Sequence, residues 1–284
     1  MIKFENLLKQ FGDVNAVNNI SLDIPNGQMV GIIGSSGAGK STLLRLLNRL
    51  IDPTSGKIWH ENTEITVLKG KKLLNWRSKC AMIFQQFNLV KRLNVLTNVL
   101  TGRLRYHSTL PSILGMFTKK EKAMAVKALD KVEILSQALK RCDQLSGGQQ
   151  QRVAIARVMM QEPMIILADE PIASLDPRSA AKVMESLQHI NKSENITVIC
   201  SLHHLASARL YCERIIGMLD GNIVFDGVPS ELSVSKIREI YNVEDAEEEL
   251  EHDIENVESM SKEITKGMKI KEKDDKEKDL VLNN

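Results

Sequence analysis

No stretch of this sequence approaches the roughly 18 uncharged apolar residues that a membrane-spanning helix needs. The longest apolar runs, such as residues 196–200, have the length of a strand. The start, Met1-Ile2-Lys3-Phe4-Glu5, has neither the apolar run nor the cleavage site of a secretory signal, so a cytoplasmic chain is expected. Cysteine is scarce. Cys80, Cys142, Cys200 and Cys212 are scattered and no C-x-x-C pair exists, which leaves a zinc site or a redox motif without support. Reduced, packed thiols are the expectation. No long internal repeat is present.

What is there divides by charge. The net charge of +2 conceals two regions of opposite sign. From Glu244 onward there are 15 acidic and 7 basic residues, a net of −8; the rest carries 31 basic and 21 acidic, a net of +10. A basic body suits phosphates, an anionic lipid face or nucleic acid, and a plain solvated surface is also compatible. The 244–284 segment lacks aromatics and has Leu250, Ile254, Val257, Ile264 and Met268 at a loose heptad spacing broken at Ser261. It reads as a solvated, disordered tail, with a short partner-binding helix as the alternative. The 284 residues thus suggest a domain over 1–243 and a tail over 244–284.

Short strands are expected at 2–8, 20–24 and Met29–Ile33, with Pro25-Asn26-Gly27 as a turn. The third is apolar throughout, as in a strand covered on both faces. A helix should follow, with Leu43, Leu44, Leu46, Leu47 and Leu50 buried, ending at Asp52-Pro53. Residues 87–145 read as mainly helical. Within them Thr118-Lys119-Lys120-Glu121 is a capping box, and Val126, Leu129 and Val132 recur at helical spacing. Apolar strand patterns return at 164–168 and 196–202. Between them Asp176-Pro177 opens a helix with Ala180, Val183, Leu187 and Ile190 inward. Strands alternating with helices argue for an α/β core with a parallel sheet.

Three motifs carry chemistry. Gly34-Ser35-Ser36-Gly37-Ala38-Gly39-Lys40-Ser41 fits G-x-x-x-x-G-K-[ST] between an apolar strand and a leucine-rich helix. Its glycines let backbone N–H groups turn toward phosphate oxygens. Lys40 supplies charge to the β- and γ-phosphates, Ser41 offers a hydroxyl to Mg²⁺, and the helix points its positive end at the same place. Second, the strand Ile165-Ile166-Leu167-Ala168 ends in Asp169-Glu170 at the sheet edge where α/β ligands sit. Asp169 can hold Mg²⁺ through water, and Glu170 can polarise the attacking water. Third, Leu145-Ser146-Gly147-Gly148-Gln149 opens another N–H-rich helix start, a second anion site about a hundred residues from the first.

With this run the chain resembles the ABC ATPases, in which it is the signature motif. The resemblance implies an α/β P-loop NTPase fold of ABC type. Its parts would be a RecA-like core with a parallel sheet, an N-terminal antiparallel β subdomain, and a helical subdomain inserted over about 87–145. It also implies ATP and Mg²⁺ as ligands, and it extends residue by residue. Gln85, in Phe84-Gln85-Gln86-Phe87, matches the Q-loop glutamine that reaches the metal and the water, with Gln86 as the weaker match. Ser174-Leu175-Asp176 matches the D-loop. His203 matches the switch histidine, with His204 as its competitor. Phe11 matches the aromatic that stacks on adenine, a strand-edge core residue being the alternative. The implied catalytic set is Glu170, His203 and Gln85. The metal set is Ser41, Gln85 and Asp169. The nucleotide set is Phe11, Gly34 through Ser41, Thr42, and Ser146, Gly147, Gly148 and Gln149. One phosphate loop and one signature motif imply a second copy of the chain, head to tail, to complete each site.

No long coiled coil interrupts the stretch from Gln85 to Leu145, only one ATPase unit is present, and no membrane domain is fused, so an importer subunit fits best. Over about residues 1–241 the closer resemblance is to the ATPase subunit of bacterial phosphonate importers. The segments that carry it include Asn98-Val99-Leu100-Thr101-Gly102-Arg103-Leu104 and the insertion through Ser112-Ile113-Leu114-Gly115-Met116-Phe117. Asp143 through Val153 and Ala168 through Pro177 belong to the same pattern. The charged tail and Ser201-Leu202-His203-His204 depart from it. Implied partners are permease subunits at the cytoplasmic face of the membrane and, indirectly, an extracellular phosphonate-binding protein. No nucleic acid is implied. Phosphite or another oxyanion is the nearest alternative cargo, and a non-transport ABC ATPase, as in cell-division signalling, is the alternative class. The region 87–118 would receive the permease, although Arg103, Arg105, Lys119 and Lys120 also read as solvated surface.

Overall fold

The structure is a computed structural model that describes residues 1–107 and 115–241. The charged 244–284 segment and residues 112–114 of the 112–117 insertion lie outside the described residues. Five strands form the parallel part of a six-stranded sheet: β3 (Met29–Ile33), β6 (Cys80–Ile83), β7 (Ile165–Asp169), β8 (Thr197–Leu202) and β9 (Arg214–Leu219). The order is β10-β9-β3-β8-β7-β6, with β10 (Asn222–Gly227) antiparallel to β9. Their near-continuous apolar runs follow from burial on both faces. Met29, Ile33, Ile83, Ile166, Ala168 and Val198 join one core. That core is closed by helices Lys119–Lys131, Gly147–Met159 and Pro177–Glu194. The alternate residues Val30, Ile32, Met82, Ile165, Leu167 and Ile199 join the other, with the helix Lys40–Leu47.

A second, antiparallel sheet, order β2-β1-β4-β5, packs its apolar face into this latter core through Ile2, Phe4, Leu7, Ile20, Leu22 and Ile58. Its strands are β1 (Ile2–Phe11), β2 (Val14–Ile24), β4 (Ser55–His60) and β5 (Thr63–Glu64). Both long strands exceed the expected 2–8 and 20–24. They meet in a hairpin at Phe11 and Val14, and cross-strand pairing with register shifts carries the polar stretch Asn15 to Asn19 that hides the strand pattern.

The helix after the loop ends at Leu47, earlier than Asp52-Pro53 suggests. Arg49 takes a left-handed φ of 60°, and Leu50 N–H reaches back to the Arg45 carbonyl at 2.9 Å, a Schellman-type stop. Leu50 is therefore past the helix and exposed rather than buried. Val126 is exposed too, because Ala125, Ala128 and Leu129 form the buried stripe of Lys119–Lys131. The capping box is present as expected, Glu121 N–H donating to Thr118 Oγ1 and Thr118 N–H to Glu121. All four cysteines are buried, and burial pushes each thiol up from its ordinary value. They are inert packing groups.

Candidate nucleotide site

Strand register assembles the site. Ile33 pairs with Leu202, Asp169 with Ser201, and Ala168 with Ile83. Loop residues 34–39, Glu170, His203 and Gln85 therefore all emerge at the carboxyl edge of neighbouring strands, where open α/β sheets bind ligands. At Gly39 the backbone holds a φ of 100°, and a Cβ there would collide with the Ala16 carbonyl, so only glycine lets the loop lie against β2. Lys40 is buried. Its ammonium donates to the carbonyls of Gly34 at 2.7 Å and Ser35 at 2.8 Å. An ammonium has three protons, so one lacks a protein acceptor among the described residues. Burial lowers the Lys40 pKa, and the charges of Glu170 and Asp169 oppose that shift.

Ser41 Oγ donates to Asp169 Oδ1 at 2.6 Å, and Arg45 stands 3.3 Å from Oδ2. The Ser201 hydroxyl donates to Asp169 Oδ1 at 3.0 Å and accepts from Glu170 N–H at 2.9 Å. His203 Nε2 meets Glu170 Oε1 at 2.6 Å, whereas His204 precedes the helix Leu205–Tyr211 as its cap position and is exposed. Gln85 and Gln86 are both exposed beyond β6. Phe11 is half exposed at the hairpin end, with the Lys9 ammonium 4.8 Å from its ring centre. Ser36, Gly37, Ala38 and Thr42 complete the loop and the first helical turn. A hydroxyl and a carboxylate in contact, with an amide beyond the end of β6 at the same sheet edge, are hard oxygen donors of the kind Mg²⁺ takes when substrate phosphates supply the rest.

The second motif sits elsewhere. Ser146 caps the helix Gly147–Met159, and its N–H donates to Gln149 Oε1 at 3.0 Å while its hydroxyl accepts from Gln149 N–H at 3.4 Å. Gly148 packs against Ser179, so closely that a Cβ would stand 2.5 Å from the Ser179 Cβ. Gly147 lies beside Leu175 and Phe87, and Arg157 of the same helix donates to the Phe87 carbonyl at 3.0 Å. The helix buries Val153, Ile155 and Val158 in the core on the opposite face of the sheet from the leucines of Lys40–Leu47. Within one chain the two glycine-rich helix starts thus belong to different layers.

The family model described as ABC transporter matches residues 17–173. The chain belongs to the ABC transporter family. It is 56% identical to the phosphonates import ATP-binding protein PhnC of Rhizobium meliloti (strain 1021), over 88% of this chain and 89% of that protein. Among solved structures of the family, a dimeric ATP-binding cassette in a post-hydrolysis state, bound to ADP and Pi, matches with a TM-score of 0.71. It is 35% identical, over 81% of this chain and 99% of that one. The structure of cbiO1 from Clostridium perfringens, part of the ABC transporter complex cbiONQ, matches at 0.72 and 29%, over 84% and 94%. The family assignment bears out the expected fold: a parallel-sheet core, an antiparallel N-terminal sheet and a helical insertion.

Sequence reasoning missed three contacts of this ABC cassette. Arg45 on Asp169 is one, and i+4 spacing from Ser41 on the helix could have signalled it. Ser201 between Asp169 and Glu170 is another, visible only through strand register. The third is Tyr241, whose hydroxyl donates to the His203 carbonyl at 3.1 Å.

Proposed function

We propose that this chain binds and hydrolyses ATP to energise the import of phosphonates, working as a pair of identical copies beneath a membrane permease. One observation carries the catalytic part: a strand-end carboxylate pair tied to the loop hydroxyl on one side and to His203 on the other. Similarity along most of the chain to a phosphonate import protein carries the cargo. No helix among the described residues is long and apolar enough to cross a membrane, so the path for the cargo belongs to other subunits, with a phosphonate-binding protein delivering to them. The chain works at the cytoplasmic membrane face.

In this reading the adenine stacks on Phe11. Loop N–H groups and the spare Lys40 proton hold the phosphates, a use for a buried ammonium that otherwise rests on neutral carbonyls. Ser41, Asp169 and Gln85 would hold Mg²⁺, which when bound would neutralise charge on the phosphate oxygens. Glu170 accepts a proton from the attacking water and fixes its line of approach. His203, within reach of the same carboxylate, donates to the γ-phosphate. Ser146, Gly147, Gly148 and Gln149 act on the nucleotide of the other copy, since their own layer lies across the sheet from their own loop. Deleting the gene tests the whole reading. Uptake of labelled methylphosphonate should vanish and return with the wild-type chain but not with Glu170→Gln. Retained phosphonate uptake with lost phosphite uptake would reassign the cargo, and retention of both would refute an import role.

A further inference from the structure

Ser201 is fully buried on β8, opposite Asp169 in the register. Its one hydroxyl makes two bonds to two adjacent residues of the site. Glu170 carries a left-handed φ of 50°, uncommon for a residue with a side chain. That turn lifts its N–H out of the strand ladder, and a buried N–H without an acceptor is costly. Ser201 Oγ accepts that N–H at 2.9 Å, which sustains the turn that aims Glu170 at His203. The same oxygen spends its only proton on Asp169 Oδ1 at 3.0 Å. Oδ1 also accepts the Ser41 hydroxyl. Were Ser41 to turn its hydroxyl to a metal ion, Ser201 would be the donor that still fixes the rotation of Asp169, since Arg45 sits on the other oxygen and is half exposed. A valine or alanine on this strand would satisfy the apolar pattern and supply neither bond.

We propose that Ser201 is a positioning residue that locks the metal-holding carboxylate and the water-activating carboxylate into one geometry, by bridging the side chain of Asp169 and the backbone of Glu170. The proposal rests on the ATP-hydrolysis reading and adds a residue to it.

The test compares wild type, Ser201→Ala and Ser201→Thr. For each, kcat and KM for ATP are measured. So are the affinity for a fluorescent ATP analogue without metal and the Mg²⁺ concentration that half-saturates its tightening. Ser201→Ala is expected to lose about fivefold in kcat and to need about threefold more Mg²⁺, with KM and metal-free affinity within about twofold of wild type. Ser201→Thr keeps the hydroxyl and should recover most of both. Wild-type kcat and Mg²⁺ demand in Ser201→Ala overturn the proposal. So does an equal loss in Ser201→Thr, or a metal-free affinity that falls in step with kcat, which marks general loosening. If Ser201→Ala does not fold, Ser201→Cys takes its place, keeping the size with a weaker donor and acceptor. It should show the same selective loss in smaller measure, and wild-type values there overturn the proposal. An inactive wild type, or full turnover in Glu170→Gln, removes the ATPase reading itself and is distinguishable from a failure confined to the Ser201 variants.

Discussion

Gly39 and Ser146 each stand at the start of a helix on a turn rich in N–H groups, yet their surroundings differ. Around Gly39 the chain supplies its own chemistry: Lys40 on the loop carbonyls, Ser41 on Asp169, and Glu170 on His203. Around Ser146 the contacts are structural. The hydroxyl is engaged by Gln149, Gly148 rests on Ser179, and Gly147 on Leu175. Among the described residues, the first turn meets charged and hydroxyl partners of its own chain, and the second meets capping and packing partners. In this account, that difference is why the second turn serves a nucleotide held by another copy.

Substitutions on the two sides should separate along this line. The largest effect is expected for Glu170→Gln, which keeps nucleotide binding and lowers kcat by about a hundredfold or more, the usual contribution of a general base. A phosphate-release assay with a parallel binding titration checks it. Lys40→Ala should weaken ATP binding by about a hundredfold, as expected when a charged donor to a phosphate is removed, while leaving the melting temperature nearly unchanged. Gly148→Ala strikes the other side. Its methyl meets Ser179, so stability should fall by about 1–3 kcal/mol in urea titration. Nucleotide affinity of the isolated copy should stay intact while ATPase is lost. A parallel loss of affinity would erase the contrast between the two turns.

The smallest effect concerns the helical lobe that bears the signature. Burial opposes ionisation of Glu121, but hydrogen bonds from Thr118 and His107 outweigh it and hold the carboxyl down at about 2, against an ordinary 4.5. A depressed carboxylate pKa contributes stability that is full above the unfolded value and is lost as pH falls toward the folded one. Wild type should therefore lose this contribution between about pH 4.5 and pH 2. Glu121→Gln should lack it already at neutral pH and show a flatter acid limb when urea midpoints are plotted against pH.

Much of the site was legible because its chemistry is local in the chain. A glycine-rich loop between a strand and a helix, and two carboxylates closing an apolar strand, state their roles within a few residues of each other. The helix end at Arg49 was not legible. A left-handed non-glycine residue leaves no mark in a leucine pattern, so Leu50 read as one more buried position. The long β hairpin was hidden by Asn15, Asn18 and Asn19: Asn15 pairs with Gln10, whereas Asn18 and Asn19 fall at a register shift where Asn19 takes a φ of 51°, after which pairing resumes at Ile20. Ser201 looks neutral inside an apolar strand, and its contacts lie 31 and 32 positions away. Only parallel register brings them together. The opposition of the two glycine-rich helix starts across the sheet is likewise a product of alternating burial along β3, β6, β7 and β8.

The central claim is that one chain holds two half-sites that meet only between copies. Light scattering of Glu170→Gln, with and without saturating Mg·ATP, tests it most directly. The mass of one chain is expected without nucleotide and of two with it, and a return to one when Ser146→Arg is added. A Glu170→Gln protein that stays at the mass of one chain in saturating ATP would contradict it.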